Sequence, residues 1–124
     1  MIETAEKPQV SAELITRLYA TVDRCSWPEL DSIFHANIEY ERPGYDVVVG
    51  LEAIQHFYER TRVIASGTHH VERVVIDGDH GACWGRFVGT RRDGAPVDER
   101  WADAFSFEDG RIRTRRSFFF RAAV

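Results

Sequence analysis

An α+β domain, helices first and an antiparallel meander after them, is the fold class this sequence predicts. Two observations carry it. Apolar residues recur at helical spacing up to about residue 62. Past Gly67 the pattern changes to long β-rich runs separated by Asp-Gly pairs at 77–78, 93–94 and 109–110. Asp-Gly favours the tight turns that join antiparallel strands, and helices segregated from strands mark this class off from alternating βαβ folds.

Residues 1–10 read as a flexible tail, with Pro8 just ahead of the first helix, and 11–124 as the single domain. Ser11 is placed to cap a helix over about 11–24, because Leu14, Ile15, Leu18 and Val22 follow at helical spacing. Ser26-Trp27-Pro28-Glu29 has the form of a capping box opening a short second helix, whose apolar face is Leu30, Ile33 and Phe34. Ile38 to Arg42 alternates as a strand and stops at Pro43-Gly44. A third helix is predicted over about 51–62, with Leu51, Ile54, Phe57 and Tyr58 on one side. Four runs then read as strands, at 69–76, 81–91, 96–108 and 111–121. Strands this long must bend. Gly81, Gly85 and Gly89 share one face and either supply the bends or are spaced so by chance.

Composition narrows the function classes. The chain has 124 residues, 44% of them apolar, with 16 basic and 20 acidic side chains for a formal charge of −4. These are the values of one soluble globular domain able to bury a core without metal or disulfide staples. No apolar run approaches the roughly 20 residues of a membrane span, and the first residues lack the basic-then-apolar order of a signal peptide. A cytoplasmic protein with no membrane partner is expected. The mild negative charge argues against nucleic acid as partner. Cys25 and Cys83 stand outside any CxxC or Cys/His cluster and read as reduced thiols. Five scattered histidines lack ligand spacing, so neither a metal nor another cofactor is expected. The single lysine against fifteen arginines reads as coding bias.

The candidate chemistry centres on Asp103. Val97, Glu99, Trp101, Asp103, Phe105 and Phe107 share one strand face, so Asp103 sits between Trp101 and Phe105 among apolar neighbours. Desolvation there raises a carboxyl pKa and suits it to donate or accept a proton near neutrality. The alternative is an aspartate paired with an arginine. Arg42, on a face with Ile38 and Tyr40, either holds Asp103 ionised, meets a ligand oxygen, or reaches solvent from the strand end. Tyr40 is either core or an acid–base hydroxyl. Of the adjacent pair His69 and His70, one faces in and one out. His70 is the expected inward residue because it shares a face with Glu72, Val74 and Ile76. Phe57, Tyr58, Trp84, Trp101 and Phe119 are expected to serve as core and pocket wall together. Arg111, Arg113 and Arg115 alternate on the last strand and either pair across strands with Asp98 or Glu99 or attract an acidic ligand.

The order of elements resembles the nuclear transport factor 2-like (NTF2-like, cystatin-like) superfamily, and within it the SnoaL-like and ketosteroid-isomerase-like proteins. The marks are Trp27-Pro28-Glu29-Leu30 leading to Phe34, Tyr40-Glu41-Arg42-Pro43-Gly44, Gly50-Leu51-Glu52-Ala53-Ile54, Asp103-Ala104-Phe105-Ser106-Phe107 and Gly110-Arg111-Ile112, over about residues 11–121. The resemblance implies a cone-shaped α+β barrel, its curved sheet wrapped around three helices and an apolar pocket, often dimeric through the outer sheet face. Asp103 matches the aspartic acid that helps hold the oxyanion in ketosteroid isomerases, where that acid stays neutral. The isomerase general base falls at Arg42 and the oxyanion tyrosine at Leu18, with Tyr19 one residue on and expected to turn elsewhere. A second epoxide-hydrolase aspartate falls at Ser117.

Together these imply a cofactor-free isomerase, cyclase or dehydratase acting on a hydrophobic carbonyl-bearing small molecule, in secondary metabolism by analogy with SnoaL-like proteins. Asp103 would move the proton, with Arg42, Tyr40 or His70 polarising an oxygen. The alternative is a non-catalytic ligand-binding or scaffold dimer of the same fold, recognised by a salt-bridged Asp103 and a filled cone. A homodimer is expected on either reading, because Ile112, Phe118 and Phe120 share one face of the last strand while Ser117 and Phe119 take the other.

Overall fold

The computed structural model describes the backbone of residues 2–121 and the side chains of residues 9–121. Helix α1 (Ile2–Asp23) begins well before the predicted start, with Ser11 buried inside it rather than capping it. Leu14, Ile15, Leu18, Tyr19 and Val22 form its buried stripe. The capping box at Ser26 does not form. The Ser26 side chain makes no cap bond, and its carbonyl accepts the Glu29 N–H at 3.0 Å to open a 3-10 turn over Trp27–Ser32. The third predicted helix splits into α2 (Leu51–His56) and one π turn (Phe57–Thr61), closed where the Arg62 N–H reaches the Phe57 carbonyl at 3.0 Å. That wider turn buries Tyr58 and Arg62.

The strands are β1 (Phe34–Glu41), β2 (Val48–Val49), β3 (Ile64–Asp77), β4 (His80–Arg91), β5 (Pro96–Glu108) and β6 (Arg111–Phe119). They make one curved, unclosed sheet in the order β2-β1-β6-β5-β4-β3. The expected meander β3 to β6 is antiparallel throughout. The β1–β6 pair is parallel, which corrects the all-antiparallel expectation. The whole meander separates β1 from β6, so no tight turn dictates their relative direction. Each Asp-Gly pair lies at a strand junction, and Asp109 and Gly110 both take positive φ (53° and 72°), as a two-residue type I′ turn requires.

Two of the one-residue bulges in the sheet decide which of the candidate site residues face inward. In β6, Ile112 pairs with Phe107 and Thr114 with Ser106, leaving Arg113 extra. In β3, Val71 pairs with Gly85 and Arg73 with Trp84, leaving Glu72 extra. Alternation along a strand has period two, so each extra residue moves everything beyond it to the other face. Ile112 is therefore core, whereas Phe118 and Phe120 are exposed at 50% and 63%, and the single face expected for the three does not exist. Arg115 faces inward beside Ser117. His69 turns inward with Val74, and His70 lies exposed on the outer side.

The glycine face of β4 has a packing reason. A Cβ on Gly85 would stand 2.0 Å from the His70 carbonyl oxygen and 3.0 Å from the Trp101 ring, so only glycine lets β3 approach there. Trp84, next to it, projects outward and is 39% exposed, contrary to its expected place in the pocket wall.

Candidate active site

Asp103 is 1% exposed, on the inner face of β5. Its Oδ2 accepts hydrogen bonds from Trp101 Nε1 (3.0 Å), Arg115 Nε (3.2 Å), Arg115 Nη2 (3.0 Å) and the Tyr19 hydroxyl. Its Oδ1 accepts from Ser117 Oγ at 2.5 Å. Burial pushes the carboxyl pKa up, but the Arg115 charge and the bonds from Ser117, Tyr19 and Arg115 outweigh it and hold the group below its usual 3.8. The expected rise is overturned. The face between Trp101 and Phe105 is as buried as predicted, yet the Arg113 bulge brings a guanidinium into it. Asp103 is an anion, paired with Arg115 instead of Arg42, and Arg115 is not paired with Asp98 or Glu99. Those two acids bind Arg86 (2.6 Å) and Arg121 (2.8 Å).

A directed chain runs from this pair to Arg42. The anion accepts from Ser117, so Ser117 Oγ accepts from the Tyr40 hydroxyl (2.8 Å), and that oxygen accepts from Arg42 Nη1 (2.9 Å). The Arg42 guanidinium stacks 4.9 Å from the Phe119 ring centre. Arg115 also donates to the Tyr58 hydroxyl at 2.5 Å. Burial raises the Tyr58 and Tyr19 pKa values, so both hydroxyls keep their protons.

Two acid–base groups among the described residues face the free space: Glu99, which accepts from Arg121, and His69. Asp23, at the end of α1, takes its backbone N–H at 3.0 Å and its Nδ1 at 2.6 Å. The imidazole packs against the rings of Phe87 (4.6 Å), Tyr19 (4.8 Å) and Trp101 (5.0 Å). Burial lowers its pKa below 6.5, more than the bond and charge of Asp23 raise it. The ring is therefore neutral at neutral pH, with its proton on Nδ1 toward Asp23. No hydrogen bond among the described residues reaches Nε2, which is left as an acceptor.

The free space is a cavity of about 30 Å³ bounded by His69, Trp101, Arg115, Ser117, Tyr58, Phe87, Arg42, Arg62, Glu99 and Phe119, with Val22 and Ile64. It has room for about two waters. Of the residues singled out from sequence, Arg42, Tyr58, Trp101 and Phe119 line it. Asp103 and Tyr40 lie behind its wall and act through Arg115 and Ser117. Phe57 packs in the core against Tyr40, and His70 and Trp84 lie outside. Tyr19 does not turn away: its side chain is buried with its hydroxyl on Asp103, because the helix presents residues 18 and 19 together to the sheet. Arg62, Asp23 and the Arg115 pairing went unread in the sequence. An arginine following a helical pattern and an aspartate at a helix end look like surface residues, and only the π turn and the α1–β3 contact bring them inside.

A second cluster, His35 with Glu108 and Asp109, brings its ligand atoms within 4.8 Å of one another. His35 Nδ1 accepts the Asn37 N–H at 3.0 Å, so the neutral ring carries its proton on Nε2, aimed at the carboxylates. That arrangement suits a hydrogen bond rather than a metal.

The model of the SnoaL-like domain family matches residues 15–115. No curated protein matches the chain. Among solved structures the fold is similar to a protein assigned as a SnoaL-like polyketide cyclase from Jannaschia sp. CCS1, with 20% identity, TM-score 0.76, and 91% of this chain and 87% of that one covered. It is similar to an LEH-like epoxide hydrolase of M. tuberculosis (15% identity, TM-score 0.79, coverage 91% and 84%). TerC, co-crystallised with polyporic acid, also matches (18% identity, TM-score 0.78, coverage 89% and 91%).

Proposed function

The chain belongs to the SnoaL-like domain family, and we propose that it is a cofactor-free enzyme working by general acid–base chemistry on a hydrophobic, carbonyl-bearing small molecule. The reaction is an isomerisation, cyclisation or dehydration, and His69 takes the proton. The observation that carries this reading is the His69–Asp23 pair at the cavity wall. Asp23 orients a neutral imidazole so that Nε2 is a base, and Arg115 and Arg42 stand on the same wall to stabilise an oxyanion. Asp103 contributes as the fixed anion that holds Arg115, Ser117 and Tyr19 in position. The fold's likeness to an epoxide hydrolase and to a polyketide cyclase is consistent with small-molecule chemistry.

The test uses an enolisable hydrophobic ketone, 2-tetralone, and follows deuterium uptake at its α-carbon. The wild type accelerates exchange, and the rate rises with pH through the His69 pKa, below 6.5. His69→Gln removes that limb and lowers the rate roughly 100-fold or more, the loss of a general base. An unchanged limb in His69→Gln refutes the assignment. One observation favours a second reading, the non-catalytic ligand-binding dimer: Asp103 is closed off in an ion pair beside a small cavity. Binding of 2-tetralone without any acceleration of exchange would establish it.

A further inference from the structure

Arg62 is 5% exposed and lines the same cavity, yet none of its side-chain nitrogens donates a hydrogen bond or joins an ion pair among the described residues. Its guanidinium lies beside the rings of Tyr58 (5.2 Å) and Trp27 (5.4 Å), which stack on each other with centres 5.0 Å apart. Such cation–π contact offsets part of the desolvation of a cation but leaves the buried Nε donor without an acceptor. Burial lowers its pKa, the nearby Arg42 charge adds to that, and no carboxylate is among the groups opposing it. Buried charges in proteins are ordinarily paired. Here the backbone is held rigidly for an unpaired one: Arg92 donates to the carbonyls of Arg62 (2.8 Å), Glu59 (2.9 Å) and Tyr58 (3.3 Å), clamping the π turn that carries Arg62 inward.

We propose that Arg62 is the receptor for a carboxylate on the ligand, which makes the substrate class aromatic or unsaturated carbonyl compounds bearing an acid group. The planar guanidinium fork matches a carboxylate bidentately, and the flat walls of Trp101, Phe87 and Tyr58 suit a ring. The present volume, with room for about two waters, is smaller than a ring. A ring-sized ligand needs outward movement of half-buried Phe119 or of exposed Arg121 beside it. The inference rests on the cavity being a ligand site.

The experiment titrates wild type and Arg62→Gln with benzoate and with its neutral isostere benzamide, reading affinity by calorimetry and the His69 ring resonances by NMR. Benzoate is expected to bind wild type more tightly than benzamide. Arg62→Gln should weaken benzoate binding roughly 10- to 100-fold, as loss of a charge-assisted pair does, and weaken benzamide far less. The wild-type contrast needs no variant, so it stands even if Arg62→Gln folds poorly. Benzoate bound no more tightly than benzamide by wild type, or bound equally by wild type and Arg62→Gln, overturns the carboxylate assignment. If either probe still moves the His69 resonances, the cavity remains the ligand site and only Arg62's role falls. If neither moves them, both readings fall.

Discussion

Asp103→Asn isolates charge from shape. The amide oxygen can occupy the Oδ2 position and accept from Tyr19, Trp101 and Arg115, but the negative charge is gone. Arg115, its side chain 4% exposed, is then a buried cation without its anion and with the Arg42 charge nearby. Removing one partner of a buried pair costs about 3–5 kcal/mol. At the Oδ1 position the new NH₂ meets Ser117 Oγ, which donated to the carboxylate and accepts from Tyr40. Two donors now converge on one hydroxyl whose own proton has lost its acceptor, a further loss of about 1 kcal/mol. The sum, about 4–6 kcal/mol, is a large share of the roughly 5–15 kcal/mol that stabilises a domain. At this chain length it corresponds to a melting temperature lower by about 12–25 °C.

Thermal melts followed by circular dichroism at pH 7, on wild type, Asp103→Asn, Arg115→Met and the double variant, measure it. The double variant, with neither charge buried alone, should lose less than the two single losses added. The sign of the pH dependence follows from the depressed Asp103 pKa. Its stabilisation is complete above the unfolded value of 3.8 and is lost as pH falls through the lower folded value. The gap between wild type and Asp103→Asn therefore closes in acid. An Asp103→Asn melt within about 4 °C of wild type, or strict additivity in the double variant, refutes the buried-pair account.

Three other outcomes are expected. Gly85→Ala sets a Cβ 2.0 Å from the His70 carbonyl oxygen and should cost about 2–3 kcal/mol in urea unfolding; an unchanged midpoint would mean β3 and β4 part freely. Burial pushes the Cys83 thiol up to about 11, while Cys25 is exposed. A disulfide reagent at pH 8 should therefore modify one thiol per native chain and two in guanidinium, and two fast native thiols would contradict the packing around Cys83. We also propose that the exposed outer patch of Trp84, Phe118, Val75 and Val88 is a dimer face. Light scattering should give twice 14.3 kDa for wild type and 14.3 kDa for Trp84→Lys/Phe118→Lys; a wild-type mass of 14.3 kDa at micromolar concentration counts against it.

The fold was legible because its signals are local. Asp-Gly pairs mark the turns, and apolar periodicity marks α1 and the buried face of β5, where each residue from Val97 to Phe105 lies on the predicted side. The site was legible only at its centre. Asp103 and Trp101 stand where alternation puts them, but His69, Ile112 and Arg115 do not. Each lies across a bulge from the residues used to assign its face, and a bulge is a property of strand pairing with no mark in its own strand's sequence. Tyr19 is hard to read from the sequence for the opposite reason. A helical stripe is wide enough to bury two adjacent residues, here Leu18 and Tyr19.

The extra residue at Arg113 also uncouples the length of β6 from its chemistry. Loss of that single codon would restore unbroken alternation from Ile112 onward. Thr114 would then follow Ile112 directly and face outward, and Arg115 and Ser117 would keep the interior, because the bulge is what lets Ile112 and Arg115, three positions apart, share one face. A lineage carrying this fold can therefore gain or lose one residue at the bulge without changing which side chains the site holds. Sequences of this kind that differ by one residue at position 113 are expected to keep the same inward-facing set, provided the strand pairing on either side is kept.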